Sequence, residues 1–357
     1  MASDTFRLID LLDELEVDED IFFRHVRTAK DVMTTRVGTL SLRNTVQDAL
    51  KFMKDNNCRH IPIMDAQAGE GGTPMFASVV SERDLLRYVP ADAGTAAQSD
   101  EVVKARQTRL AEIVPRRPRL VSPNTSMTSV IQTMIDNRVD MLPVLLRQVL
   151  VGIITSSDIV RVFVMLGKIS RFCKAQEGET KVAESPSGKA KPAPSVLSQL
   201  GQTVQDIMTK EVACLNLDDT LARAMDAMRT GMFRHMPVVN ERRQLAGVVS
   251  DRDVLMILPP PGEKFRKQSA EFRQDLFALD PTRPPKFGIR VEEIMNRQVV
   301  HVSPGTGVFE AARKFHDQKV GCLPVVNEGK KLLGIVTVTD LMRTLLAAYK
   351  HFNKPQG

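Results

Sequence analysis

The sequence predicts an α+β chain made of four copies of one strand-and-helix unit, arranged as two tandem pairs. The first observation is the stretch Gly334 to Met342, Gly-Ile-Val-Thr-Val-Thr-Asp-Leu-Met. It reads as a short apolar strand, a polar turn and a helix opening near Asp340. The same pattern recurs from Gly152 (with Thr155 and Asp158), from Gly247 (Ser250, Asp253) and from Ser78 (Ser81, Asp84). A hydroxyl and a carboxylate at one helix start ordinarily form a cap. Four such units in register make accidental capping a poor explanation. The second observation is a constant spacing. An apolar-Pro-apolar strand (Pro62, Pro143, Pro237, Pro324) lies 28 positions after the last residue of an acidic-x-apolar-x segment (Thr34, Pro115, Thr209, Asn296). The third is an alternation. Arg-His-apolar-Pro and Ser-acidic-Arg-Asp occur only in repeats one and three, so a whole pair has been copied.

Taken in order, residues 1–27 carry Phe6, Ile9, Leu12 and Leu15 at helical spacing over an acidic face. This predicts an amphipathic helix over 4–26 that covers the first module's sheet through Phe6, Ile9 and Leu12. The first module spans 28–172, with repeats near 28–90 and 108–166. Its first helix, Thr45 to Asn56, buries Val46, Ala49, Leu50 and Met53, and a strand follows at 59–64. About six extra residues between Pro62 and Asp84 fit a lengthened hairpin at 67–73. In the second repeat a helix from Ser126 to Asn137 precedes strands at 142–145 and 150–154. Residues 173–201, rich in Glu, Gly, Lys, Ser, Pro and Ala, read as a flexible linker. The second module spans 202–357, with repeats near 202–258 and 288–348 and an insertion at 259–288 opened by Pro259-Pro-Pro-Gly. Its helices fall at 221–230 and 307–318, and its third-repeat strands at 236–239 and 247–250.

Composition bounds the chemistry. Charged residues make up 26% and hydrophobic residues 43%, as in a water-soluble globular chain. No apolar run is long enough to span a bilayer. Cys58, Cys173, Cys214 and Cys322 lack Cys-x-x-Cys spacing, so free thiols in a reducing, cytoplasmic setting are expected. The net charge of +6 is spread over every repeat and no Trp is present, which fits anionic small molecules better than nucleic acid. There is no nucleophile with an adjacent base, no phosphate-binding glycine loop and no metal-ligand spacing. No catalysis is expected.

Acidic-x-Met-Thr, an amphipathic helix, apolar-Pro-Val, then Gly-x-x-[Ser/Thr]-x-x-Asp resembles the CBS domain, named after cystathionine β-synthase. The resemblance covers four repeats and most of the chain. It implies sandwich-like β-α-β-β-α units that pair about a pseudo-two-fold axis into Bateman modules. Clefts between paired repeats would take adenosine compounds: AMP, ADP, ATP (with Mg as companion ion), S-adenosylmethionine or cyclic di-AMP. Carried over residue by residue, Asp84, Asp158, Asp253 and Asp340 would take ribose hydroxyls. Ser81, Thr155, Ser250 and Thr337, with Arg83 and Arg252, would take phosphate. Thr34, Thr209 and Met236 would border the adenine. Ser78 in place of Gly, and Pro115 and Asn296 in place of Thr, weaken some clefts.

The resemblance therefore implies a regulatory sensor that needs no cofactor beyond its nucleotide. It also implies a homodimer and an unidentified protein partner. A ligand-free scaffold is the competing reading. Repeat three combines Met208-Thr209 with Ser250-Asp251-Arg252-Asp253, so an adenine nucleotide is expected there, with Thr337 and Asp340 across the pseudo-two-fold.

Overall fold

The structure, a computed structural model, describes residues 18–65, 74–82, 84–85, 106–114, 118–180, 203–257 and 289–353, with side chains of 170–180 and 255–257 left aside. The expectations for Phe6, Ile9 and Leu12, for Arg83, for the hairpin at 67–73 and for the insertion lie outside the described residues, as does the linker beyond 180.

Each repeat opens with a one-turn helix whose start is determined locally. Asp31 Oδ2 accepts from Thr28 N (2.7 Å) and Thr28 Oγ1 (2.8 Å), which starts Ala29–Val32. Asp206 and Thr203 do the same before Val204–Ile207. Leu110–Ile113 and Val291–Ile294 are the counterparts in repeats two and four. The acidic residue of the first sequence landmark is thus a capping-box residue in repeats one, three and four.

The main elements follow the prediction closely. We number those used below β1 (His60–Asp65), β2 (Met75–Ser81), α1 (Met127–Asn137), β3 (Met141–Leu146), β4 (Val149–Thr155), α2 (Ser156–Thr180), α3 (Leu221–Gly231), β5 (His235–Val239), β6 (Leu245–Ser250), α4 (Val308–Gln318), β7 (Cys322–Val326), β8 (Leu332–Thr337) and α5 (Val338–Phe352). In every repeat the proline-bearing strand pairs antiparallel with the strand after it. It also pairs parallel with a short strand or single bridge before it. Helix α2 continues to Thr180, so residues 173–180 are helical where a linker was expected. Lys, Ala, Gln and Glu there are good helix formers and no proline intervenes.

Repeats pair by exchanging their opening segments. Leu110 of repeat two is buried in the core of repeat one, with Val46, Ile61, Ile63 and Val80. Val291 of repeat four is buried with Leu215, Met225, Val238 and Val249 of repeat three. The largest core belongs to neither module alone. It joins Phe163 and Leu166 of α2 and Val130 and Met134 of α1 to Phe315 of α4 and Leu341 and Leu345 of α5. Gly167 lets α2 approach α4, because a Cβ there would stand 2.9 Å from Phe309 Cβ. The two modules therefore pair within one chain, through the helices of repeats two and four.

A helix that the sequence reading did not single out lies just before the first repeat. Glu19–His25, capped by Asp18, buries Phe22 and Phe23, and Phe23 packs on Tyr349 (5.1 Å) and Phe352 (5.1 Å) of α5. This helix covers the junction with the second module. Two successive aromatic side chains on a helix reach two different neighbours, here across the seam.

Candidate functional site: clefts between paired repeats

The clefts begin where segments of paired repeats cross. Thr34 N donates to Ile153 O (2.8 Å) and Ile153 N to Thr34 O (2.9 Å), which lays the first repeat's Met-Thr segment along β4. Thr209 and Ile335 exchange the same pair at 2.9 and 2.9 Å, and Asn296 and Val248 at 2.9 and 3.1 Å. Glycine is required where the segments cross. A Cβ at Gly152 would stand 2.8 Å from Thr34 O, and one at Gly334 2.9 Å from Thr209 O and 2.6 Å from Met208 Sδ. Ser78 stands at the corresponding position of repeat one. The segment that would cross there has Val114 in place of methionine, so a larger strand residue meets a smaller partner.

This exchange corrects the expected grouping. Thr209 lies beside Thr337 and Asp340 of repeat four, not beside Ser250 and Asp253 of its own repeat, whose turn receives the Asn296 segment.

All four hydroxyl–carboxylate pairs are capping pairs. Ser81, Thr155, Ser250 and Thr337 each donate both N–H and O–H to Oδ2 of Asp84, Asp158, Asp253 and Asp340, at 2.6 to 2.9 Å. Repetition in the sequence therefore did not argue against capping. The pairing engages one carboxylate oxygen. In Asp340 the other, Oδ1, receives Arg343 Nη1 at 3.4 Å. Burial raises the Asp340 carboxyl above its ordinary value, against the lowering hydrogen bonds from Thr337 and the Arg343 charge.

Three cavities border these turns. One of ≈ 330 Å³ is lined by Thr209, Val212, Phe233, Arg234, His235, Ile335, Thr337, Asp340 and Arg343, with Arg138 and Asp140 of repeat two. One of ≈ 620 Å³ takes Ile153 and Thr155 from repeat two, His60 from repeat one and Phe315 and Lys319 from α4. One of ≈ 220 Å³ takes Ser81, Asp84, Arg59 and Arg119. Thr34, Asp158, Ser250, Asp253 and Met236 line none of the three. Met236 is 2% exposed and packs in the core with Val238 and Val249, so its side chain borders no adenine-sized cavity; His235 beside it faces the cleft instead.

Arg252 is also placed differently from the expected phosphate ligand. Its Nε donates to Glu82 Oε1 (2.8 Å) and its Nη1 to Asn57 Oδ1 (3.0 Å), so the guanidinium ties repeat three to repeat one. The residues at the centre are ones the sequence reading passed over. Arg234 and Asp140, ion-paired at 2.7 Å across the module boundary, line all three cavities. Burial, together with Arg234 nearby, lowers the Arg59 pKa. The signal for Arg59 and Arg234 was the Arg-His that repeats one and three share, and no repeated motif marked Asp140. Burial pushes the Cys322 thiol up to about 12, which leaves it unreactive. Among the described residues no His, Cys, Asp and Glu cluster suits a metal ion, and no helix is long and apolar enough to cross a membrane.

The CBS domain profile matches residues 29–91, 110–165, 204–259 and 291–347. Among relatives, protein MJ1404 of Methanocaldococcus jannaschii is 24% identical over 315 residues, 88% of this chain but 61% of that protein. Protein MJ1225 of the same organism is 21% identical over 323 residues, 89% of this chain and 98% of that one. The crystal structure of MJ1225, proposed as an archaeal homologue of g-AMPK, superposes with a TM-score of 0.65, at 20% identity, over 89% of this chain and 99% of that one. Inosine-5'-monophosphate dehydrogenase of that organism is 24% identical over 145 residues, which is 24% of the enzyme.

Proposed function

The chain belongs to the CBS-domain family, and from that premise we propose a non-catalytic regulatory protein that binds an adenine nucleotide between repeats three and four. The observation that carries this reading is the ≈ 330 Å³ cleft, which Thr209, Thr337, Asp340, Arg343 and Arg234 line together. A carboxylate oxygen beyond the cap accepts from ribose hydroxyls. Guanidiniums suit a phosphate, which they bind in forked, charge-assisted hydrogen bonds. Arg234, Arg343 and the nearby Arg59 favour an anionic ligand, AMP, ADP or ATP with Mg, over a cationic sulfonium such as S-adenosylmethionine. A dimer of this chain would use a surface other than the helical seam, which is occupied within the chain.

Calorimetry with AMP, ADP, ATP plus Mg and S-adenosylmethionine tests the reading on wild type and Asp340→Asn. The asparagine keeps an oxygen for Thr337 but loses the charge. A charge-assisted hydrogen bond contributes about 1.5–3 kcal/mol. Affinity for the preferred nucleotide is therefore expected to fall roughly ten- to hundredfold. A wild-type protein that binds none of these ligands would leave the scaffold reading in its place.

A further inference from the structure

One position of the repeat borders the cavities from all four copies. It lies three residues before the strand proline and is held by Arg59, Asp140, Arg234 and Gly321. The backbone path to it is the same each time. Two residues earlier, Asn57, Arg138, Met232 and Lys319 are left-handed (φ 47, 52, 56 and 51). The carbonyls of Arg59, Asp140 and Arg234 then accept the N–H of Glu82, Ser156 and Asp251 at 3.0, 2.8 and 3.0 Å. These residues are therefore fixed at their roots before any ligand arrives.

The side chains differ in charge. Asp140, from the turn between α1 and β3, is the acidic member of the four. Its Oδ2 lies 2.7 Å from Nη1 of Arg234, which comes from the turn between α3 and β5, and the two side chains are 15% and 18% exposed. A charge-assisted hydrogen bond of this length, largely shielded from water, engages one amino group of the guanidinium. Gly321 brings no charge, and a Cβ there would collide with the His235 ring.

The effect on the clefts is uneven. Around the ≈ 330 Å³ cleft, Arg138, Arg234 and Arg343 face Asp140, Glu211 and Asp340, so cations and anions balance. Around the ≈ 620 Å³ cavity, Arg59, Arg234, Arg252 and Lys319 face Asp140 alone, and cations are in excess. The smaller cleft thus has groups to orient one phosphate and no surplus of positive charge for a row of them.

We infer that Asp140 limits how many phosphates the ≈ 330 Å³ cleft accepts. It is a counter-anion supplied by the first module, which occupies Arg234 and holds the cleft to a nucleoside monophosphate. This rests on the nucleotide reading above and adds to it the charge of the ligand. A terminal phosphate carries about two negative charges at neutral pH, and each inner phosphate adds roughly one more. A further phosphate must displace Asp140 from Arg234, which leaves a buried carboxylate uncompensated, or lie beside a like charge. Both weaken binding.

Calorimetry with AMP and with ATP, at one ionic strength and without Mg so that the full charge counts, gives the ratio of the two affinities. Heat that Asp340→Asn loses is assigned to this cleft. Wild type is expected to bind AMP about tenfold or more tighter than ATP, and Asp140→Asn to shift that ratio towards ATP by about ten- to hundredfold. The asparagine keeps an oxygen for Arg234 and nearly the same volume. Asp140→Glu keeps the charge and should keep the preference. A ratio is insensitive to a uniform loss of affinity from a loosened seam. If wild type binds ATP as tightly as AMP, the role of Asp140 is overturned without any substitution. If wild type prefers AMP and Asp140→Asn prefers it equally, the limit is room rather than charge and the role is again overturned. A preference lost in Asp140→Glu overturns it too. In these three cases the nucleotide reading stands. If wild type binds no adenine nucleotide, the nucleotide reading fails and the role of Asp140 falls with it.

Discussion

At the residue scale, the four Asp side chains are local devices, each closing a helix start through one carboxylate oxygen. Oδ2 holds the helix start through two hydrogen bonds, so the cleft edge is rigid before any ligand arrives. His235, beside the same cleft, gives a pH prediction. Burial, with Arg234 and Arg59 alongside, holds its imidazole well below the ordinary 6.5. Below that pH the unfolded chain takes a proton that the folded chain refuses. This contribution to stability is therefore present in full above pH 6.5 and is lost as pH falls. Urea titrations at pH 7.5 and 5.5 should show wild type losing up to about 1.4 kcal/mol per pH unit more than His235→Asn over that interval.

At the scale of elements, the N-terminal helix and α5 form one aromatic cluster. Phe22 and Phe23 meet edge to face at 5.3 Å, and Tyr349, against which Phe23 also packs, donates its hydroxyl to Val26 O at 2.8 Å. The first residues of the first module are thereby fastened to the last helix of the second. Phe23→Ala would leave a cavity between them. A thermal or urea melt should show a loss of about 3–5 kcal/mol. A variant that melts like wild type would mean that this helix merely rests on the surface. The apolar stripe read in the sequence ends at Leu15, upstream of this pair of adjacent Phe residues.

At the scale of the whole molecule, two ion pairs among the described residues cross the module boundary, both from arginines of repeat three: Arg234 to Asp140 and Arg252 to Glu82. The second joins the turn after Ser81 to the turn after Ser250. Glu82 is buried, and desolvation raises its carboxyl despite the Arg252 charge. Removing Arg252 leaves that carboxylate uncompensated, but Arg252 is itself 34% exposed. The cost of Arg252→Ala should therefore lie between the values for surface and buried pairs, about 1–3 kcal/mol at pH 8. A raised carboxyl contributes its stability below its unfolded pKa and loses it as pH rises through the folded one. The deficit of Arg252→Ala should accordingly shrink towards pH 5, where Glu82 can take a proton. A deficit independent of pH would show that Glu82 is not its origin.

The sequence by itself determined the four repeats, their strands and helices, and the hydroxyl–carboxylate turns. The interactions that make those features act over a few residues: a cap joins positions three apart, and strand and helix patterns repeat within ten. Only the tertiary structure decided which segment faces which turn. The partners of Thr209, Arg252 and Phe23 lie more than a hundred positions away, at Ile335, Glu82 and Tyr349. Such contacts arise from how whole repeats pack, and no short stretch records them. Arg252 and Asp253 stand side by side in the sequence, yet one turns to the module seam and the other to its own helix cap. The first is drawn to a buried carboxylate brought near by the fold, the second to a backbone N–H three residues before it.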